Sequence, residues 1–320
     1  MGYSIGSMNL EENVLLFHKP AHSGSGAFFI DIAQSMSIVN RKGYDQQGLW
    51  TVLGANVWVE DASVSPTVGI PYTATISGAP RNWVCRNSLV KIESLWLDQQ
   101  RDAQRAISSS IKPIWEDFKV FLNKDHFTAG VAGNLTPVSG SMFGGISAYN
   151  TGEWIHSKIV WEEANAAGAI VEAESALWIL GPDDAVTEDK GIINQYAESR
   201  ALVQSPDPAL PALIQDSLYT VATDPLADQM VAIVENMKVD NDEPPYDRST
   251  YPGGNSNGND PQLYAYASNT NTLGRKLTLN GFSAPNGLLE LVITPTLAQE
   301  PTPHLADVWI QLIIGRRSDY

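Results

Sequence analysis

KLTLNGFSAPNGLLELVITP (Lys276–Pro295) and, after a polar interval, VWIQLIIGRR (Val308–Arg317) come near the end of the chain and decide its class. Leu288–Ile293 and Val308–Ile314 have strand length and are dominated by aliphatic, β-branched and aromatic side chains. Side chains alternate across a strand, so Val308, Ile310, Leu312 and Ile314 share one face while Trp309, Gln311 and Ile313 share the other. Both faces are largely apolar, which predicts a strand covered on both sides and a β-structure closed by its own last strand.

Working outward, Leu263–Ala267 and Lys276–Leu279 read as further strands. So do Asn13–Phe17, Ala27–Ile32, Leu49–Glu60, Val68–Ser77, Glu153–Trp161 and Ala169–Leu180, with Ser35–Val39 continuing or restarting one. At Ser88 the period changes. Leu89, Ile92, Trp96, Ala103 and Ile107 recur at helical spacing, with Ser88 as the N-cap. Pro113 then opens a second helix whose apolar stripe is Ile114, Trp115, Phe118, Phe121 and Leu122. Residues 127–152 are Gly-rich and irregular, helices are expected over Gly191–Leu202 and Ala227–Met237, and Lys238–Gln262 is a long loop rich in Pro, Gly, Asn and Asp. The reading is one β-domain over residues 1–320, with a helical insertion at about 88–123 and a helix-plus-loop insertion at about 189–262.

Composition narrows the function. The net charge is −16, and it is uneven: residues 1–125 hold 11 basic and 12 acidic residues, whereas residues 126–320 hold 9 and 24. A field of that sign repels phosphate backbones, so little direct nucleic-acid binding is expected; Arg41, Lys42, Arg316 and Arg317 could supply a few contacts and no polycationic surface. No run of about 18 apolar residues predicts a membrane helix, and the acidic opening MGYSIGSMNLEENVLLF does not read as a signal peptide. Cys85 is the single cysteine, which excludes an internal disulfide and a cysteine metal cluster, and it reads as a small buried hydrophobe.

Candidate chemistry is sparse. Glu172 and Glu174 share one face of the strand IVEAESALWIL, about 6–7 Å apart from a rise of 3.3 Å per residue, near the spacing of paired glycosidase carboxylates. Trp178 on the same face is positioned to stack on a sugar, which gives the alternative reading of a carbohydrate-binding or glycoside-cleaving β-sandwich. Asp240, Asp242 and Glu243, with the later NSNGND, offer oxygen ligands to calcium, though their spacing is not that of an EF-hand; no other cofactor is implied. His18 and His22 lie four apart, but Pro20 opposes a helical metal pair. Asn134-Leu-Thr136 matches a glycosylation sequon, and no G-x-S-x-G nucleophile elbow occurs.

About ten short strands, helical insertions and long loops fit a jelly-roll β-sandwich, with a double jelly roll as the alternative. EPPYDRSTYPGG (Glu243–Gly254), GFSAPNGLLELVI (Gly281–Ile293) and VWIQLIIGRR (Val308–Arg317) resemble segments of the jelly-roll major capsid proteins of small tailless icosahedral viruses of the single-stranded DNA type. The resemblance implies a non-enzymatic, self-assembling structural subunit located in the virion and assembled in the host cytoplasm. Its partners would be copies of itself and other virion proteins. Trp96, Trp115, Tyr246, Tyr251 and Trp309 are the candidate assembly contacts. The basic genome-binding arm of many such proteins has no counterpart in the acidic first residues here, which implies either that this chain does not hold the genome or that a membrane or another protein lies beneath the shell.

Overall fold

The computed structural model describes residues 13–20, 22–23, 26–59, 71–107, 117–140, 145–164, 170–184, 189–198, 260–269, 276–295, 304–305 and 307–318. In chain order the elements are β1 (Val14–Lys19), β2 (His22–Ser23), β3 (Gly26–Asp31), α1 (Ile32–Asn40), β4 (Leu49–Val59), β5 (Tyr72–Gly78), α2 (Trp83–Ile107), β6 (Phe121–Asn123) and α3 (Lys124–Ala129). Next come β7 (Val138–Gly140), β8 (Ile146–Ala148), β9 (Lys158–Ala164), β10 (Ile170–Leu180), β11 (Lys190–Gly191) and α4 (Ile192–Glu198). The last five are β12 (Gln262–Asn269), β13 (Lys276–Pro285), β14 (Leu288–Pro295), β15 (His304–Leu305) and β16 (Val308–Ser318).

The protein is mainly β, and its largest feature is a pair of four-stranded antiparallel sheets. Their strand orders are β1-β16-β4-β13 and β12-β5-β14-β3. Alternation aims one face of each sheet at the other. Leu15, Phe17, Val52, Val57, Leu277, Leu279, Ile310 and Leu312 of the first sheet meet Phe28, Ile30, Ala74, Ile76, Leu289, Leu291 and Ile293 of the second in one core. β16 lies between β1 and β4, as its apolar face requires: Val308, Ile310, Leu312 and Ile314 are all buried. Its other face differs from the sequence reading. Trp309 is buried, but Gln311 and Ile313 are half-buried, and Gln311 joins a polar ladder across three strands. The Asn56 amide donates to Gln311 Oε1 at 3.0 Å, and the Thr278 hydroxyl donates to Asn56 Oδ1 at 3.0 Å.

A tight corner carries the chain from one sheet to the other. Asn286 and Gly287 both have positive φ, at 54° and 64°, between β13 and β14, which lie in different sheets. A Cβ on Gly287 would come within 2.9 Å of Trp50 Cδ1. Glycine is therefore needed for space as well as for backbone conformation.

Between β5 and β12 the chain builds a second body. β6, β10 and β11 run parallel to their neighbours, β9 pairs antiparallel with β10, and α2 and α4 pack on this sheet. Its core joins Cys85, Leu89, Trp96, Phe118, Val120, Leu122, Ile159, Leu177, Ile179, Ile192 and Ile193. The described parts of the two expected insertions thus share one core, and the strands at 158–164 and 170–180 belong to it rather than to the sandwich. This sheet has parallel pairings and a helical cover, so no second two-sheet sandwich appears among the described residues. Phe29 and Leu288, on the outer face of the second sandwich sheet, reach into this core and join the two bodies.

Several local expectations are corrected. Ser35–Val39 is not a strand: Asp31 caps α1 there, accepting from Gln34 N at 3.0 Å. α2 begins at Trp83 rather than after Ser88, because Asn82 Oδ1 accepts from Cys85 N at 2.8 Å, and Ser88 inside the helix donates to the Cys85 carbonyl. Phe118 lies in the irregular segment before β6, and Phe121 and Leu122 lie on β6, so none of them is on a helix. Ile114, Trp115, Ala227–Met237 and most of the Lys238–Gln262 loop lie outside the described residues. No helix among the described residues is long and apolar enough to cross a membrane.

Two substitutions probe the sandwich. Leu312 is fully buried in the central strand. Leu312→Asp, which buries an unpaired charge, should cost several kcal/mol and abolish soluble folded protein; an unchanged melting temperature would remove the strand from the core. Gly287→Ala should lower stability by about 1–3 kcal/mol through the positive φ and the Trp50 clash, read as a lower urea midpoint with an unchanged m-value.

Candidate functional site

The most organised polar cluster lies where the second body meets the sandwich, and it begins with Asp31. This residue ends β3, so its backbone is extended (φ −100°, ψ 109°) and its side chain is free to turn back onto the first turn of α1. The carboxyl is fully buried. Oδ1 accepts from Gln34 N at 3.0 Å, and Oδ2 accepts from Gln46 Nε2 at 2.7 Å and from the Trp154 indole N–H at 3.0 Å. No ion pair reaches it among the described residues. Burial therefore wins over the hydrogen bonds and pushes its pKa up to about 6.

From Asp31 two hydrogen-bonded paths run into the second body. Gln46, itself fully buried, turns its Oε1 to accept from Val120 N at 2.8 Å. Gln34 Oε1 accepts from Asn134 Nδ2 at 2.8 Å, and Asn134 Oδ1 lies 2.7 Å from His126 Nε2. His126 Nδ1 accepts from Leu122 N at 3.1 Å. These partners fix the imidazole as neutral with its proton on Nε2, because Asn134 offers its oxygen there and Leu122 offers a hydrogen at the other nitrogen. Burial holds His126 down to about 4.

Aromatic rings close the cluster. His126 stacks on Phe29 at 4.6 Å between centroids and meets Phe121 edge-on at 5.2 Å. His156 stacks on the same Phe121 at 3.6 Å, and burial, then His126 and Lys119, hold it down to about 3. The Lys119 ammonium sits 4.4 Å from the Trp154 ring centroid and pairs with Asp117. The peptide groups of Lys119 and Ser157 hold the two segments together, Ser157 N donating to the Lys119 carbonyl at 2.8 Å. Nearby, Glu290 of β14 is raised by burial and by Asp125 of α3, and Glu93 of α2 is raised by burial while accepting from Gln47. The arrangement can position and hold; its acid and the His126 imidazole are sealed from solvent by the contacts that order them, while His156 is half-buried.

The residues singled out from sequence fall elsewhere. Glu172 and Glu174 are both exposed on β10, and Glu174 pairs with Lys158 at 3.2 Å. Trp178 shares their face but is fully buried, with its indole donating to the Pro182 carbonyl at 3.2 Å and Phe127 5.5 Å away. It has no surface for a sugar, because β10 passes from solvent into the core along its length. Trp96 is buried against Phe118 at 5.7 Å, and Trp309 is buried beside His18 at 4.4 Å, so neither side chain is a surface contact. Trp115, Tyr246, Tyr251 and the calcium candidates Asp240, Asp242 and Glu243 lie outside the described residues. Among the described residues no group of three or more His, Cys, Asp or Glu is arranged to hold a metal. Cys85 is buried, which pushes its thiol up to about 12. Asn134, read as a sequon, is buried and committed to the cluster.

Sequence reasoning missed Asp31, Gln34, Gln46, His126 and Trp154 as a group. One signal was present: Asp31 followed three residues on by Gln34, opening an apolar helical pattern, resembles an N-terminal capping sequence. Compared with known proteins, no family matches the chain, no curated protein matches it, and no solved structure matches it.

Removing the carboxyl should expose its importance. Asp31→Ala leaves the Gln34, Gln46 and Trp154 donors buried without an acceptor and should cost about 2–5 kcal/mol. Asp31→Asn adds a pH signature. A carboxyl whose pKa is raised on folding contributes stability that is full below its ordinary value of 3.8 and is lost as pH rises through about 6. The stability gap between wild type and Asp31→Asn should therefore narrow from pH 4 to pH 7 in urea titrations; a gap that widens would show that the carboxylate form is the one the fold prefers.

Proposed function

We propose that the sandwich is a jelly roll and that the chain is a structural subunit of an icosahedral virus capsid, assembling with copies of itself into the shell. One observation carries the reading. Number the eight sandwich strands in chain order: β1, β3, β4, β5, β12, β13, β14 and β16. First pairs with eighth, second with seventh, third with sixth and fourth with fifth. The eighth then pairs with the third, and the seventh with the fourth. That order results when one long eight-stranded hairpin is rolled up on itself, the winding of a jelly roll. The step from this winding to a shell is a fold-level analogy, supported by the resemblance of the C-terminal segments to capsid proteins.

The surface is consistent with neighbours. Val90 and Leu95 of α2, Ile155, and Val160 of β9 are exposed apolar side chains on the second body, and Leu263 and Tyr266 are exposed on β12. A specific contact between subunits typically covers more than about 1,000 Å².

Purified protein should form discrete rings or particles in light scattering and negative-stain images at some combination of salt and divalent cation. A Val90→Asp, Leu95→Asp double variant should keep its melting temperature within about 2 °C, since both sites are exposed, and lose assembly at least tenfold in concentration. A wild-type chain that stays strictly monomeric under every condition overturns the capsid reading.

A further inference from the structure

We propose that His126 is the trigger of an acid-released latch between the second body and the sandwich. The latch is built from hydrogen bonds and is independent of the shell reading.

Leu122 N, His126, Asn134 and Gln34 form a single file of hydrogen bonds from β6, in the second core, to α1, on the sandwich. Both imidazole nitrogens are used. Nε2 donates to Asn134, and the lone pair on Nδ1 receives the Leu122 N–H. A second proton has only one place to go, Nδ1, and there it faces the Leu122 hydrogen. Protonation thus replaces a hydrogen bond with two opposed donors at a site that is 1% exposed. The file breaks at Leu122.

Among the described residues the surroundings supply no compensating anion. On the ring faces and edges lie Phe29, Phe121 and, at 6.3 Å, His156. Lys119, which acts on His156, is held by Asp117 and the Trp154 ring. From α3 itself, Asp125 and Lys124 are exposed, and Lys124 pairs with Asp184 at 2.9 Å. From the sandwich come Asp31, engaged with Gln34 N, Gln46 and Trp154, and Glu290 on β14, beside Phe29 in the strand register. Neither acid offsets the burial that disfavours the charged imidazole. Burial lowers the His126 pKa from an ordinary 6.5 to about 4, so the closed latch excludes the proton. Closure is at full strength above 6.5 and weakens as pH falls toward 4. Asp31 acts in the opposite sense below about 6 and blunts the release.

Hydrogen exchange on the full chain, corrected for the intrinsic pH dependence of exchange, tests the latch. Protection of the Leu122 amide and of the Leu135 amide, which donates to the Phe29 carbonyl at 2.8 Å beside Asn134, should fall by up to about tenfold per pH unit between pH 6.5 and 4, the limit for one coupled proton, while Leu312 in β16 stays protected. His126→Asn, which keeps an acceptor oxygen near the Nδ1 position and cannot titrate, should remove that pH dependence. Nitrogen-15 spectra of wild-type imidazoles provide a check that needs no variant: His126 should remain the neutral Nε2–H tautomer at pH 5. Titration of His126 near 6.5, or loss of Leu122 and Leu312 protection at the same pH, overturns the proposal.

Discussion

A carboxyl group taken wholly out of water must have its lone pairs met, and in this protein the cost of burying Asp31 organises a large part of the molecule. Gln34 N meets it from α1, Gln46 from the loop before β4, and Trp154 from the segment before β9. Two of these donors pass the order on to a further segment. Gln46 uses its second end to hold Val120 N, next to β6 and within the second core. Trp154 provides a face for Lys119. One buried acid, with no counter-ion among the described residues, thus ties together a helix start, a loop and a segment of the second core.

The cores are linked by alternation as well as by hydrogen bonds. In β3, Phe28 and Ile30 point into the sandwich while Phe29, between them, points into the second core. In β14, Leu289 and Leu291 point inward while Leu288 points out. Each strand serves as a wall with an apolar room on either side. The second body is therefore not a detachable decoration: lifting it off would expose Phe29 and Leu288 to water.

The sandwich strands were legible because period-2 alternation survives in single segments such as Val308–Ile314. The misread segments share a cause: a short apolar pattern leaves the backbone's partners undetermined. Ile32–Met36 is too short to separate a helical from a strand period by apolar spacing, and the cap at Asp31 decides it. Phe118, Phe121 and Leu122 fit a helical stripe in sequence, yet Ser157 and Gln46 take the backbone of that segment for themselves. Asn286-Gly287 was not misread but shows the same ambiguity: it has the dipeptide of a two-residue hairpin, yet the strands it joins pair with other partners in different sheets. Glu172, Glu174 and Trp178 do share a face, but parity carries no information about where along β10 the solvent ends. The polar cluster was the least visible of all. Its contacts join residues as far apart as Asp31 and Trp154, and no local pattern encodes such a pairing.

Among the contacts of α2 is one between a side chain and a strand edge. Gln99 donates its amide hydrogen to the Val160 carbonyl at 2.6 Å, and its oxygen accepts from Val160 N at 3.3 Å. A glutamine amide has the same donor and acceptor as a peptide group, so it occupies β9 at Val160 as a neighbouring strand would. An unpaired strand edge is a template on which identical chains can stack. With Gln99 in place, β9 offers a stranger no continuous row of free peptide groups. Crowded copies of this chain are thereby steered away from growing into fibres through that edge, at the expense of one side-chain amide.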